Sequence, residues 1–372
     1  MDTQVFSHIS KIIERDSKAS TYKFALLRGV MDIIQDNSPF ITFSDGRVHF
    51  PTGLLIEKWL LYYYPILGSD IPIPMIHGRS KLAFQEQFES IIRQYARQGG
   101  EDFSCFYNDL SNKGIPSGLQ REFLALVRKI RETITGMPMR HIGYSVYQRH
   151  YSIFEFTAPG RALPSKTVDT GFLIRNSGTF SIPREYFDAF KFLGSFINGQ
   201  DSILFKWAEF AVKASNHRLP LEKAVHHILQ TPVTERDIRE SRQMYLDILR
   251  IQGNVHCVWT GTKLRNYDVD HMIPFSVWKN NDLWNLLPSG KSTNNRKRDK
   301  IPSPELIDAQ KDLILEYWEM MAGKQHQRFK KEIQVALLGH HPFEEWKQRG
   351  IEQLKDSCRY LISERGFEAW NP

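Results

Sequence analysis

The chain has 372 residues, 41% of them apolar and 24% charged, a globular mix long enough for two or three folding units, which excludes a disordered or fibrous protein. Its formal charge of +7 favours a polyanionic partner, because lysines and arginines that neutralise phosphates release condensed counterions. The cysteines Cys105, Cys257 and Cys358 are odd in number and far apart, which argues against a disulfide framework and suits a reducing cytosol, with buried thiols as the plainer reading.

The first twenty residues mix charged and apolar side chains and lack a signal-peptide pattern, so a cytoplasmic protein is expected. Ser20 is placed to cap a helix whose Phe24, Leu27, Met31 and Ile34 recur every three or four residues. ITFSDGRVHF, residues 41–50, alternates around Asp45-Gly46 and predicts a hairpin. The apolar stretch 54–67 is too short to span a bilayer, carries Glu57 and Lys58, and is broken by Pro65, so it reads as a core helix. Trp59, Tyr62, Tyr63 and Tyr64 within it have the spacing of core packing rather than of a base-stacking platform.

Further helices are expected at 81–97 and 120–132. Apolar, β-prone runs at 151–156, 172–174 and 179–182 suggest a small sheet. Helices return at 202–215 and 234–250, where Thr234 and Asp237 form a capping pattern. Pro304 sits near the start of a helix running through Leu313 and Trp318, followed by helices over 329–338 and 342–362. No internal repeat is evident.

The chemistry-bearing text is HCVWTGTKLRNYDVDHMIPFSVWKNNDLWNLLPSGKSTNNRKRDKIP, residues 256–302. It sets an acid beside a histidine, then asparagines at short separations, then a dense basic run. Phosphodiester hydrolysis needs such parts: oxygen ligands for a hard cation, a base beside them, and positive charge for flanking phosphates.

Asp270-His271, Asn285 in NLL, and Asn295 before the basic turn resemble the HNH, or ββα-metal, nuclease family, and are most similar to the HNH domain of RNA-guided CRISPR nucleases. The resemblance covers roughly one eighth of the chain, the share expected of a small module in a multi-unit protein. It implies two antiparallel strands and a helix around one divalent cation, with Asp270 and Asn295 as its oxygen ligands. Such donors suit Mg²⁺, with Mn²⁺ as a substitute. Asp268 and Asn294 leave that assignment open by one position. His271 is implied as the base that activates water, and Asn285 as the residue that holds the loop and orients the imidazole. A structural zinc is not expected, because Cys257 is followed by no second cysteine at C-x-x-C spacing. The W-T-G step at 259–261 reads as the turn entering the hairpin.

Lys291, Arg296, Lys297, Arg298 and Lys300 form a cluster that is either a solvated helix face or a grip on nucleic-acid phosphates, and its place beside the motif favours the grip. SGKST at 289–293 imitates the end of a nucleotide-binding loop, but Asn285 stands where that motif requires glycine. His226-His227, His326 and His340-His341 lack partners at ligand spacing and read as ordinary histidines.

The expected fold is α+β and mainly helical, with a ββα-metal module embedded between a helical N-terminal region carrying a small sheet and a C-terminal helical region. The expected divisions are 1–150, 151–250, the module at 251–302, and 303–372. The expected function is a metal-dependent endonuclease that nicks DNA, with no membrane association. The resemblance extends to bacterial restriction or anti-phage effectors, including the HNH subunit of type II Zorya systems, and so implies other subunits of a defence system as partners. An RNase, a structure-specific repair nuclease, and a catalytically silent nucleic-acid-binding protein are the alternatives.

Overall fold

The computed structural model describes residues 3–16, 20–69, 81–97, 102–147, 152–161, 165, 167–195, 197–229, 232 and 236–372. The chain divides into two compact units, the first Met1–Asp36 with Ile41–Val233, the second Asn37–Phe40 with Thr234–Pro372. The fold is mainly helical with small sheets, and no helix among the described residues is long and apolar enough to cross a membrane.

The first unit is built on the hairpin foreseen at Asp45-Gly46. Strands β1 (Thr42–Ser44) and β2 (Arg47–Pro51) are joined by two residues at φ +50° and +69°, the left-handed pair that a tight two-residue hairpin demands. Strands β3 (Glu155–Thr157) and β4 (Thr179–Pro183) complete an antiparallel sheet ordered β1-β2-β4-β3. Phe50 opposes Phe180 in that register, with ring centroids 4.9 Å apart. Because β4 pairs with β2 on one side and with β3 on the other, the sequence on both sides of position 150 forms one unit.

The Thr52–Leu67 helix is the core of this unit: Trp59, Tyr62, Tyr63 and Tyr64 are all buried, as their spacing predicts. Pro65 does not end it: the helix runs on to Leu67, although the ring removes one helical hydrogen bond in the last turn. A Cβ on Gly53 would lie 2.2 Å from the Leu173 backbone, so only glycine lets this helix approach the Thr170–Asn176 helix.

That second helix corrects an expectation. Residues 172–174 read as a strand, but Asp169 caps a helix there, its side chain accepting the Phe172 N–H at 2.8 Å. A short apolar run has no period of its own, and the cap decided it. Ser20 is likewise not the cap of Tyr22–Gln35; Thr21 precedes that helix without a side-chain cap bond. Cys105 is exposed, whereas Cys257 and Cys358 are buried.

The second unit begins with helix Arg239–Gln252, which starts five residues later than the sequence pattern implies. Thr234 lies outside the described residues. Asp237 does contribute, its Oδ1 accepting the Arg239 backbone N–H at 3.0 Å. Strands β5 (Val255–His256) and β6 (Lys263–Leu264) flank the Trp259-Thr260-Gly261 turn. Strands β7 (Asp268–His271) and β8 (Leu286–Ser289) pair antiparallel, and helix Lys291–Lys297 follows. Strand β9 (Ile301–Pro302) pairs parallel with β10 (Ala369–Trp370).

Residues 304–324 form two helices, Pro304–Ala309 and Lys311–Lys324, the first capped by Ser303, whose side chain accepts the Leu306 N–H. The C-terminal helices share one core with the ββα segment: Trp318 donates its indole N–H to the Trp284 carbonyl at 2.7 Å, and Tyr317 exchanges 2.8 Å bonds with the His256 backbone. Tyr245 adds a 2.8 Å bond to the Leu286 carbonyl. A pair of four-residue strands cannot hold itself in water, so these buried bonds and indoles fix the strand pair.

Candidate active site

Asp270 sits on β7 with 4% of its surface exposed. Its Oδ2 accepts the Trp259 indole N–H at 2.7 Å, and the Lys297 ammonium lies 3.3–3.4 Å from both carboxylate oxygens. Lys297 also donates to the His271 carbonyl at 2.7 Å. The W-T-G step therefore supplies more than a turn, since its tryptophan orients the motif's carboxylate.

Burial raises the Asp270 pKa against the opposing pull of Lys297 and Trp259, and lowers that of Lys297 against the pull of Asp270. Each charge is expensive alone in such a place, and each compensates the other.

His271, 2% exposed, turns its Nε2 to the Asn281 side-chain oxygen at 3.2 Å and packs edge-on against Phe275. Its Nδ1 is buried and has no hydrogen-bond partner. Burial pushes its pKa down to about 4, helped by the positive charges of Arg236 and Lys297. The imidazole is thus neutral at pH 7 and presents a bare nitrogen, which is what a general base requires.

Asn285 is fully buried and acts as a staple: its Oδ1 accepts the Ile273 N–H at 2.8 Å, and its Nδ2 donates to the Ile273 carbonyl and to Asn280, both at 3.0 Å. These bonds tie it to the loop after His271. The imidazole itself is contacted by Asn281, not by Asn285. Asn281 escapes sequence reasoning because a loop asparagine in KNND carries no pattern; only the fold brings it to the histidine.

Helix Lys291–Lys297 begins where Gly290 donates its N–H to the buried Cys257 sulfur at 3.4 Å. Its buried positions are Thr293 and Lys297, the latter meeting Asp270. Asn295 is exposed, and two residues turn it about 200° from Lys297. Asn294, three residues from Lys297 and half-buried, lies about 60° from it on the helix. Helix phase therefore favours Asn294 over Asn295 as the amide nearest Asp270, on the open side of the one-position ambiguity.

The basic cluster does not act as one face. Lys291, Arg296 and Arg298 are exposed, Lys300 is half-buried and ion-paired with Glu368, and Lys297 is buried at the carboxylate. Lys297 therefore cannot reach a phosphate on the surface, contrary to the expectation from charge density. The exposed Arg236, which the sequence did not single out, lies at the strand that carries the site, with Nη2 3.4 Å from the Val269 carbonyl.

The HNH resemblance implies a divalent cation, and the donors can be tested against it. Asp270 offers a desolvated carboxylate, the Lys291–Lys297 helix carries amide side chains at Asn294 and Asn295, and His271, next in sequence to Asp270, has a nitrogen without a hydrogen-bond partner. This hard, sparse set fits Mg²⁺, which uses one or two carboxylates and fills its shell with water and phosphate. Among the described residues no three His, Cys, Asp or Glu side chains form a metal-holding group, so a site here depends on those waters and on substrate.

Comparison with known families gives two matches. Residues 257–303 match the family described as HNH endonuclease, the segment that carries Trp259, Asp270, His271 and Lys297. Residues 2–229, more than half of the chain, match the family described as a domain of unknown function, DUF8808. The chain belongs to the DUF8808 family. In this DUF8808 protein the family domain coincides with most of the first unit, and the HNH endonuclease domain lies wholly within the second. Neither match narrows the HNH domain to the RNA-guided or the Zorya type. No curated protein and no solved structure matches the chain significantly.

Proposed function

We propose that this protein is a metal-dependent HNH endonuclease hydrolysing DNA phosphodiester bonds, with His271 Nδ1 as the atom that takes the proton from the attacking water. The observation that carries this reading is that bare, buried nitrogen, next in sequence to a buried Asp270 and within the segment that matches HNH endonucleases. A bound Mg²⁺ or Mn²⁺ would supply positive charge to the leaving oxygen. Asp270 would hold it together with one amide oxygen, for which Asn294 is better placed than Asn295.

Lys297 keeps Asp270 in place by neutralising it within the core. Exposed Lys291, Arg296, Arg298 and Arg236 would grip phosphates beside the scissile one, an electrostatic contact that carries no base preference. One HNH segment per chain cuts one strand at a time, so nicking is the basal activity. The long DUF8808 domain has no place in this chemistry and would restrain or target it, in keeping with a cytoplasmic effector of bacterial anti-phage defence that works with other subunits.

Supercoiled plasmid incubated with the protein should become nicked in Mg²⁺ and stay intact in EDTA. His271→Ala should lower the rate at least about a thousandfold, the combined weight of a lost base and a disordered site. Equal cleavage by wild type and variant would remove His271 from the reaction. Protection from phage that survives His271→Ala would separate defence from nuclease chemistry.

A further inference from the structure

We infer that Asn281 is a positioning residue, whose side-chain oxygen, fixed by the Asp237 backbone, holds the His271 imidazole in the tautomer that leaves Nδ1 bare. The consequence for catalysis rests on the nuclease reading above, while the tautomer follows from hydrogen-bond geometry alone.

The two ends of an asparagine amide look alike, so the neighbours must say which is which. Here a backbone group decides: the Asp237 N–H, which can only donate, points at the Asn281 side-chain oxygen at 3.0 Å. The same atom lies 3.2 Å from His271 Nε2. A carbonyl oxygen can only accept, so Nε2 must carry the proton. A neutral imidazole has one N–H, which leaves the lone pair on Nδ1, the nitrogen that is buried and without a partner. In the opposite tautomer an N–H would face the place from which water must lose its proton.

Asn281 is itself held from several directions. Its backbone carbonyl accepts Arg328 Nη2 at 3.2 Å, and the adjacent Asn280 bonds the buried Asn285 at 3.0 Å. Asp237, which supplies the deciding N–H, is pinned by Arg239, whose guanidinium bonds both of its carboxylate oxygens at 2.9 and 2.6 Å. A chain of fixed groups thus runs from the start of helix Arg239–Gln252 to the imidazole. Orienting partners of this kind commonly change activity by about 10–100-fold when removed.

The test is nitrogen NMR on the full-length protein labelled in its histidines, with the His271 signals assigned by their loss in His271→Gln. Wild type should show His271 protonated at Nε2 and bare at Nδ1. Asn281→Asp, which keeps an acceptor, should retain that tautomer, and Asn281→Leu should lose it. In plasmid nicking, Asn281→Leu should lower kcat by about 10–100-fold with KM little changed, and Asn281→Asp should recover most of the loss. An Nδ1-protonated wild type, an Asn281→Leu variant that keeps the wild-type tautomer, or an Asn281→Asp variant that loses it overturns the proposal. Should Asn281→Leu fail to fold, the wild-type and Asn281→Asp spectra still decide. Failure of the nuclease reading shows separately, as a wild type that does not cleave although its tautomer is the one stated.

Discussion

A lysine with no exposed surface is tolerated only beside a charge that needs it, and Lys297 meets that condition at Asp270. Removing the ammonium leaves the carboxylate buried and uncompensated, a change that costs about 3–5 kcal/mol in comparable pairs. Lys297→Met should therefore lower the unfolding temperature in EDTA. The freed carboxylate is then more open to a divalent cation, so Mg²⁺ should recover part of the loss, and by more degrees than it raises wild type. Calorimetry with and without Mg²⁺ checks both statements, and a variant as stable as wild type in EDTA would show that the pair contributes nothing. At this scale Asp270 and His271 were legible, because acid-histidine adjacency survives in one dimension. Lys297 was not: in NNRKRDK it is one cation among four, and only the fold separates the buried one from the others. Asn281 and Arg236 were invisible for the related reason that their partners come from other elements.

The loop of residues 280–285 carries the site as much as the strands do, and it is tied down by helix His326–Ile333. Glu332 accepts the Leu283 N–H at 2.7 Å and pairs with Arg328 at 2.6 Å, while Asp282 accepts the Trp284 indole N–H at 2.9 Å. Burial raises the pKa of both acids, the Asp282 charge raises Glu332 further, and Arg328 only partly offsets this. A carboxyl whose folded pKa exceeds its unfolded one binds its proton more tightly in the fold. Its contribution is complete below the unfolded value and is lost as pH rises through the folded one. The second unit should therefore lose on the order of 1 kcal/mol as pH climbs from the ordinary carboxylate range through neutrality. Glu332→Gln, which keeps an acceptor for Leu283, should flatten that slope; denaturant titrations at several pH values measure it, and an unchanged slope would acquit Glu332. None of this was legible beforehand, since the helix was visible but not its target. By contrast, the 3.6-residue period and the Asp45-Gly46 dipeptide carried the Thr52–Leu67 helix and the first hairpin without help from tertiary contacts. The 172–174 run failed because three apolar residues fit strand and helix equally.

For the whole molecule, the informative boundary is not a linker. Asn37–Phe40 follows helix Tyr22–Gln35 and precedes β1 in sequence, yet it belongs by packing to the second unit, where the Phe40 ring meets His340 edge-on at 5.1 Å. The chain therefore passes through the nuclease-bearing unit early and returns to it after residue 233, so the two units are joined covalently at more than one point. Composition and pattern could not reveal this, because four residues of SPF-type loop carry no period. The strap depends on Gly339, at φ +61°, where a Cβ would fall 2.2 Å from the Pro39 carbonyl oxygen. Both the left-handed backbone and the close approach exclude a side chain there. Gly339→Ala should cost about 1–3 kcal/mol locally, and the cost should be read first at the strap. Hydrogen exchange should accelerate at residues 37–40 and 338–341 before the Trp284–Trp318 core responds. If the DUF8808 domain governs the nuclease through this strap, plasmid nicking by Gly339→Ala should change while its His271 tautomer stays that of wild type. If instead exchange at 37–40 is unaltered, the strap is not held by Gly339, and control of the nuclease, if any, takes another route.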